Sequence, residues 1–270
     1  MRDIIVVGGG PSGLSAAITA RQRNKNVAVI SNDRTQSGLY KAREIGNYPG
    51  LPGISGQELS DKLAHHAESA GAEFIAGQAT LIMPMGGVMN VAVGTEVFPS
   101  KTIILATGIV QMSIFPGEER LLGRGVSYCA TCDGMFFRGK RVCVVCLKPE
   151  AGEEADYLES IGCDVIRLET KKIVINGEDK VTSVIADDSE IVCDGVFILR
   201  GTVAPNLLLP GLEIENNHIR TGRAGDTNIA GVFAAGDCTG APYQIAKAVG
   251  EGQIAALTAV EYIIKNGKDM

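Results

Sequence analysis

The first thirty residues limit most tightly what this chain can fold into. Asp3 to Val7 is a short apolar, β-branched run, and Gly8-Gly9-Gly10-Pro11-Ser12-Gly13 follows it directly. Leu14 to Arg23 then has helical character, and Val27 to Ile30 reads as a second strand. Strand, glycine turn, helix and strand make a βαβ unit with G-x-G-x-x-G at its first turn. Gly8 permits the sharp turn, Gly10 lets a pyrophosphate approach the backbone, and Gly13 allows the helix to pack closely on the strand. The N-terminus of the helix then faces the phosphates. Ser31-Asn32-Asp33 follows the second strand, so the usual ribose-binding acid is not clearly marked.

Ser37 to Gly56 is loop-like and contains Asn47-Tyr48-Pro49-Gly50. Glu58 to Ala70 reads as an amphipathic helix ended by Gly71. His65 and His66 on it are adjacent, do not share a face, and read as a solvated pair rather than a metal site. Phe74 to Phe98 alternates short strands with glycines, as in a β-meander, and Lys101 to Leu105 is a buried strand ending in Ala106-Thr107-Gly108. Later, Lys140 to Val145 is a strand, about 150 to 160 a helix, and Asp164 to Leu168 the next strand. Lys172 to Leu199 reads as a second meander with a turn at Asn176-Gly177. The tail resumes the first pattern: strand Gly231 to Ala235, then Gly236-Asp237, then a long helix from about Gln244 to Lys265 capped by Asn266-Gly267. The outer segments therefore form one discontinuous domain, 1–112 plus 205–270, with 113–204 inserted.

Composition supports an α/β protein: 34 glycines suit many tight strand-to-helix turns, and 270 residues suffice for one large domain or two modest ones. A net charge of −6 argues against general nucleic-acid or anionic-membrane affinity. No stretch approaches a membrane span, and Met1-Arg2-Asp3 runs straight into a strand with no signal-like region, so a cytoplasmic protein is expected. Seven cysteines, odd in number and scattered, argue against a secreted disulfide framework. Most read as small buried hydrophobes.

The exception is Cys129-Ala130-Thr131-Cys132-Asp133-Gly134, near the middle of the chain. Two cysteines three apart can close a small, easily reduced disulfide, and a neighbouring carboxylate can move the proton that thiol exchange requires.

With GGGPSG, the NYPG loop, ATG, PGEE, GVSYCATCDG, and AAGDC followed by a Gln-led helix in this order, nearly the whole chain resembles the low-molecular-weight thioredoxin reductase family of flavoproteins. The resemblance implies two Rossmann-like domains of FAD/NAD(P)-binding type, each a three-layer ββα arrangement, the second inserted and truncated. It implies FAD, with Gly8, Gly10, Ser12 and Gly13 at the pyrophosphate. Asn47 would meet the flavin's polar edge, Thr107 and Gly108 would line its site, and Gly236-Asp237 would bring a carboxylate to the ribityl chain. Gln244 would open a helix whose positive end faces the flavin. Cys132 would exchange electrons with the flavin, Cys129 with a protein disulfide, and Asp133 would be the acid–base group. Thioredoxin is the implied substrate and a homodimer the implied assembly.

The chain departs from the family where pyridine-nucleotide members carry a second glycine fingerprint. Here the turn reads Val145-Cys146-Leu147-Lys148-Pro149-Glu150. Lys148 obstructs backbone approach, Pro149 has no N–H to donate, and Glu150 with Glu153 puts negative charge where phosphate would bind. The basic motif for an NADPH 2′-phosphate is absent after the next strand, where Arg167-Leu168-Glu169-Thr170-Lys171-Lys172 stands, and the segment lacks room for the usual βαβ elaboration. Cys143 and Cys146 would point to opposite faces of a strand, a poor geometry for a disulfide. Tyr243 stands in an arginine position of the family, and Tyr40 in a changed flavin loop.

This pattern resembles the ferredoxin-dependent flavin thioredoxin reductases, which implies reduced ferredoxin as donor and a middle domain that swings about connections near 113–117 and 201–205. Arg120, Arg124, Arg138, Lys140 and Arg141 could form a local docking patch, although 113–204 holds 11 Lys+Arg against 16 Asp+Glu. Three other readings stay open: an NAD(P)H-dependent reductase, a flavin dithiol oxidase that passes electrons to oxygen, and a non-catalytic redox-sensing flavoprotein.

Overall fold

The computed structural model describes residues 1–108, 115–128, 130–146, 151–170, 172–199 and 204–266, with the backbone alone at 36, 131, 132 and 151. Cys129, the turn at 147–150, Lys171, residues 113 and 201–203 of the two connections, and Gly267 lie outside the described residues. The chain divides into two compact units, Met1–Val110 with Ala204–Met270, and Gln111–Val203.

The first unit opens with β1 (Arg2–Val7), α1 (Pro11–Gln22) and β2 (Val27–Ser31), the expected βαβ unit. Helix α1 starts at Pro11 rather than Leu14, because proline at the first helical position lacks only an N–H that would go unpaired there. Helix α2 (Gly56–Ser69) starts where the Ser55 hydroxyl accepts the Glu58 N–H. Strands β3 (Glu73–Ala76), β4 (Ala79–Met85), β5 (Val88–Val93) and β6 (Glu96–Leu105) complete the segment. Strand β6 serves two arrangements. Its first half pairs antiparallel with β5, Val91 opposite Phe98, and its second half runs parallel to β1, Ile4 opposite Thr102.

The second unit contains α3 (Glu118–Leu121), β7 (Val126–Ser127), α4 (Ala130–Asp133), β8 (Arg141–Cys146), α5 (Ala151–Ser160), β9 (Asp164–Leu168), β10 (Ile173–Asn176), β11 (Ser183–Ala186), β12 (Ser189–Val192) and β13 (Gly195–Leu199). Strand β13 does not continue the meander. It enters a four-stranded parallel sheet in the order β7-β13-β8-β9, while β10, β11 and β12 form a separate antiparallel sheet. The run GVFIL is buried along its whole length, which suits a parallel strand covered on both faces rather than a meander strand. The unit also keeps one βαβ element, β8-α5-β9, where the sequence places a strand, a helix and a strand.

Alternate residues of β8 face different cores. Val142 and Val144 pack with Ala155 and Leu158 of α5. Cys143 and Val145 pack with Ile173, Ile175 and Val184 of the antiparallel sheet. A parallel sheet between an antiparallel sheet and a helix is a three-layer ββα arrangement.

The chain returns to the first unit with α6 (Pro205–Leu208), the hairpin β14 (Ile214–Glu215) and β15 (His218–Ile219), β16 (Val232–Ala234) and α7 (Ile245–Asn266). Strand β16 runs parallel to β6, so the parallel order is β3-β2-β1-β6-β16. Helix α7 lies along α1, and a side chain at Gly252 would overlap the Ser12 backbone. Leu14, Ala17, Ala255, Ala256 and Ala259 fill the seam with Val6, Ile104 and Phe233 beneath. Small residues set a close approach of the two helices. Among the described residues no helix is long and apolar enough to cross a membrane.

Candidate functional site

In the first unit, β1 and β6 are neighbours although α1, β2 and the meander separate them in sequence. The turns after β1 and β6 leave from the carboxyl ends of adjacent parallel strands, the end of an open α/β sheet where ligands bind. Three turns meet there: Gly8–Gly13 after β1, Ala106–Gly108 after β6, and Ala235–Gly240 after β16.

Gly8 has φ +120°, and a side chain there would overlap the Ala106 carbonyl. Gly13 meets the Gly8 carbonyl just as closely, whereas nothing lies within 4 Å of the position a Cβ would take at Gly10. Two glycines are filled by protein and the third is open, as a cradle for a ligand requires. The first α1 bond runs from Leu14 N to the Gly10 carbonyl at 2.9 Å. The Ser12 and Gly13 amides precede it in the first turn, where an anion is favoured. The Ser12 hydroxyl is not available to that anion as a donor, because it donates to the Ala235 carbonyl at 3.1 Å.

Asp237 begins a short 3₁₀ turn after Gly236. Its Oδ1 is buried without a hydrogen-bond partner, and so is Thr107 Oγ1 apart from the neighbouring Cys238 thiol. Such an oxygen costs about 1–3 kcal/mol, so two of them in neighbouring turns suit the hydroxyls or amides of a polar ligand. Burial raises the Asp237 carboxyl above the ordinary aspartate range; Lys247 opposes that rise and Glu251 adds to it. Lys247 Nζ donates to the Gly236 and Gly240 carbonyls at 3.0 and 2.6 Å, while Glu251 accepts the Gly236 N–H at 2.9 Å. Both ends of the Asp237 turn are thus pinned to α7, a pairing of residues distant in sequence for which no motif gave a signal.

Gln244 precedes α7, and its side-chain carbonyl accepts from Asn47 Nδ2 at 2.7 Å. The two exposed side chains expected at the flavin edge are therefore brought together. Tyr243 beside them stacks on His218, with its hydroxyl 2.7 Å from His218 Nε2. Asp33 accepts the Thr35 N–H and hydroxyl at 2.9 and 2.6 Å and caps a 3₁₀ turn. Its carboxylate is committed to that turn, in keeping with the missing ribose mark. An open glycine cradle, first-turn amides and two orphaned oxygens fit a dinucleotide such as FAD.

In the second unit, Cys132 lies on α4 and Asp133 ends it. Ser127 donates to Asp133 Oδ2 at 2.7 Å, and Tyr128 donates to Glu118 Oε1 at 2.9 Å. Gly134 is needed for packing, since a side chain there would press on Leu158 and Ile161. Cys143 and Cys146 do face different cores, as the strand spacing requires, but Cys143 has a thiol partner that spacing did not reveal. It donates to Cys193; this bond and burial raise the Cys143 thiol, and the same bond lowers Cys193. Burial holds Cys238 up at about 11, a protonated space-filler at neutral pH.

Arg167 on β9 donates to Glu159 Oε1 at 2.6 Å and also to Asp156, both on α5. Thr170 donates to Asp187 at 2.7 Å. The guanidinium on the second βαβ strand is therefore already paired with two carboxylates.

The model of the pyridine nucleotide-disulphide oxidoreductase family matches residues 2–176 and 154–252. Thioredoxin reductase of Bacillus subtilis (strain 168) is 31% identical over 97% of this chain and 94% of its own length. That of Treponema pallidum (strain Nichols) is 33% identical over 97% of each. Among solved structures, a ferredoxin-flavin thioredoxin reductase from Clostridium acetobutylicum shows a TM-score of 0.88 and 38% identity over 99% of both chains. A thioredoxin reductase from Gloeobacter violaceus shows 0.78 and 29% over 100% of this chain and 96% of its own. The chain therefore belongs to the pyridine nucleotide-disulphide oxidoreductases, a family that binds FAD, and within them to the thioredoxin reductase type of flavoprotein disulfide reductase.

Proposed function

We propose that this chain reduces thioredoxin through FAD and the Cys129–Cys132 dithiol, with reduced ferredoxin in place of a nicotinamide donor. The observation that carries the donor assignment is Arg167, tied to Asp156 and Glu159 where a 2′-phosphate would need a free cation. The glycine-free sequence Leu147-Lys148-Pro149-Glu150 supports it, as does the likeness to the Clostridium acetobutylicum enzyme.

In this reading FAD is held by the Gly8–Gly13 turn, Thr107, Gly108, Gly236, Asp237, Asn47 and Gln244, with 1–112 plus 205–270 as its domain. Bound FAD supplies the reversible couple that links one-electron delivery to two-electron disulfide chemistry. The chain's own residues do the exchange. Cys129 as thiolate attacks one sulfur of the thioredoxin disulfide and releases the other as thiolate. Cys132 then attacks Cys129 in the mixed disulfide and releases the second thioredoxin sulfur. Two electrons and two protons leave the dithiol and reach thioredoxin, with Asp133 carrying protons between leaving and attacking sulfurs. Domain 113–204 carries the dithiol and swings to present it to thioredoxin. A cytoplasmic homodimer completes the reading.

Anaerobic mixing tests the donor. Reduced ferredoxin is expected to bleach the flavin absorbance promptly, and NADPH or NADH to leave it unchanged over the same time. Prompt bleaching by micromolar NADPH would overturn the ferredoxin assignment in favour of an NADPH-dependent reductase.

A further inference from the structure

The segment that bears the redox motif is tied down immediately before its first cysteine. Ser127 is buried on β7, opposite Phe197 of β13, and its hydroxyl reaches forward across Cys129–Cys132 to Asp133 Oδ2 at 2.7 Å. Tyr128, the next residue, bonds Glu118, which is fully buried and accepts the Phe115 N–H at 2.8 Å. Two hydroxyl–carboxylate bonds therefore anchor this segment, and the Ser127–Asp133 bond spans the motif.

We propose that Ser127 is a positioning residue for disulfide exchange: its bond to Oδ2 fixes the Asp133 carboxylate against strand β7 and leaves the other oxygen to carry the proton. The inference rests on the acid–base role given to Asp133 above. An aspartate at the end of a four-residue helix has two free side-chain torsions, and a misdirected proton carrier loses most of its value. A short bond to a strand residue removes that freedom. Charge-assisted bonds of this length are among the stronger ones, so the constraint holds while the dithiol changes partners. A serine buried only to fill space would need no partner on the motif itself.

The test uses holoenzyme reduced anaerobically by dithionite, so that no biological donor is involved, and measures single-turnover reduction of thioredoxin by thiol trapping. Ser127→Ala is expected to slow the exchange about tenfold at saturating thioredoxin with little change in the half-saturating concentration. Ser127→Thr, which keeps the hydroxyl, is expected to stay within about threefold of wild type. Asp133→Asn is expected to slow exchange at least as much as Ser127→Ala. Adding Ser127→Ala to it should then cost less than about twofold, because the two residues act as one unit. A packing role would instead give additive losses, and that result overturns the proposal. So does a Ser127→Ala protein within about twofold of wild type while Asp133→Asn is slow. An Asp133→Asn protein at full rate would instead overturn the acid–base reading beneath it. If the alanine variant does not fold, Ser127→Thr against Ser127→Val gives the same comparison, and an equally fast valine variant overturns the proposal.

Discussion

An oxygen such as Asp237 Oδ1, buried without a partner, costs the free protein stability that a bound hydroxyl restores. Asp237→Ala is expected to weaken FAD binding by tenfold or more, measured by fluorescence titration of the apoprotein. Because burial raises the Asp237 carboxyl, the sign of the pH effect follows. In the proposed site a ribityl hydroxyl would donate to the carboxylate, so affinity would be full above the raised value and fall as pH drops through it. FAD affinity of the wild type should therefore weaken as pH falls through that raised value, and that of Asp237→Ala should respond less. A second outcome at this scale concerns thiols. Cys143, Cys163, Cys193 and Cys238 are buried, and a thiol reagent should reach them only on unfolding, in mass-resolved labelling with and without denaturant. Much at this scale was not legible. Motif residues such as Gly8, Asp133 and Asp237 announce themselves through neighbours in sequence. The Cys143–Cys193 bond and the Arg167–Asp156 pair join different elements, and no local spacing encodes them.

At the scale of elements, the α1–α7 seam couples packing to the site, because Gly252 abuts the backbone of Ser12 in the phosphate turn. Gly252→Leu must push the helices apart, at a cost of about 1–3 kcal/mol. It is expected to lower the apoprotein's unfolding midpoint and to weaken FAD binding together, read by thermal melts and titration. Edge strand β3 is held differently. Arg2 on β1 donates twice to Glu73, at 2.8 and 2.7 Å, and that bonding holds the Glu73 carboxyl below its ordinary range. A lowered carboxyl contributes stability above the unfolded value and loses it as pH falls through the folded one. Glu73→Gln should thus be less stable than wild type near neutrality, by under about 1 kcal/mol for so exposed a pair, with the difference shrinking in urea melts as pH falls through the lowered Glu73 value. Elements with a period or a cap were readable: β1, α1, α2 and α7 begin and end within a few residues of where the sequence puts them. Strand β13 was not, because an unbroken apolar run has no period to show which sheet it joins.

On the scale of the whole molecule, the proposed route counts electrons. Anaerobic dithionite titration of the oxidised holoenzyme is expected to take up about four electrons per chain, two for FAD and two for Cys129–Cys132, and a Cys132→Ser protein about two. Uptake of about two by the wild type would mean that the disulfide is not in communication with the cofactor. The division into units also has a consequence for synthesis. Unit one is made from both ends of the sequence, and α7 closes over α1 only after residues 245–266 leave the ribosome. Until then the Leu14–Ala17 face of α1 has no cover and Asp237 has no Lys247 to pin its turn. The second unit, made entirely from 111–203, needs none of those residues to close its core. In the proposed reading, a nascent chain therefore completes the unit that carries Cys129 and Cys132 before it can hold FAD.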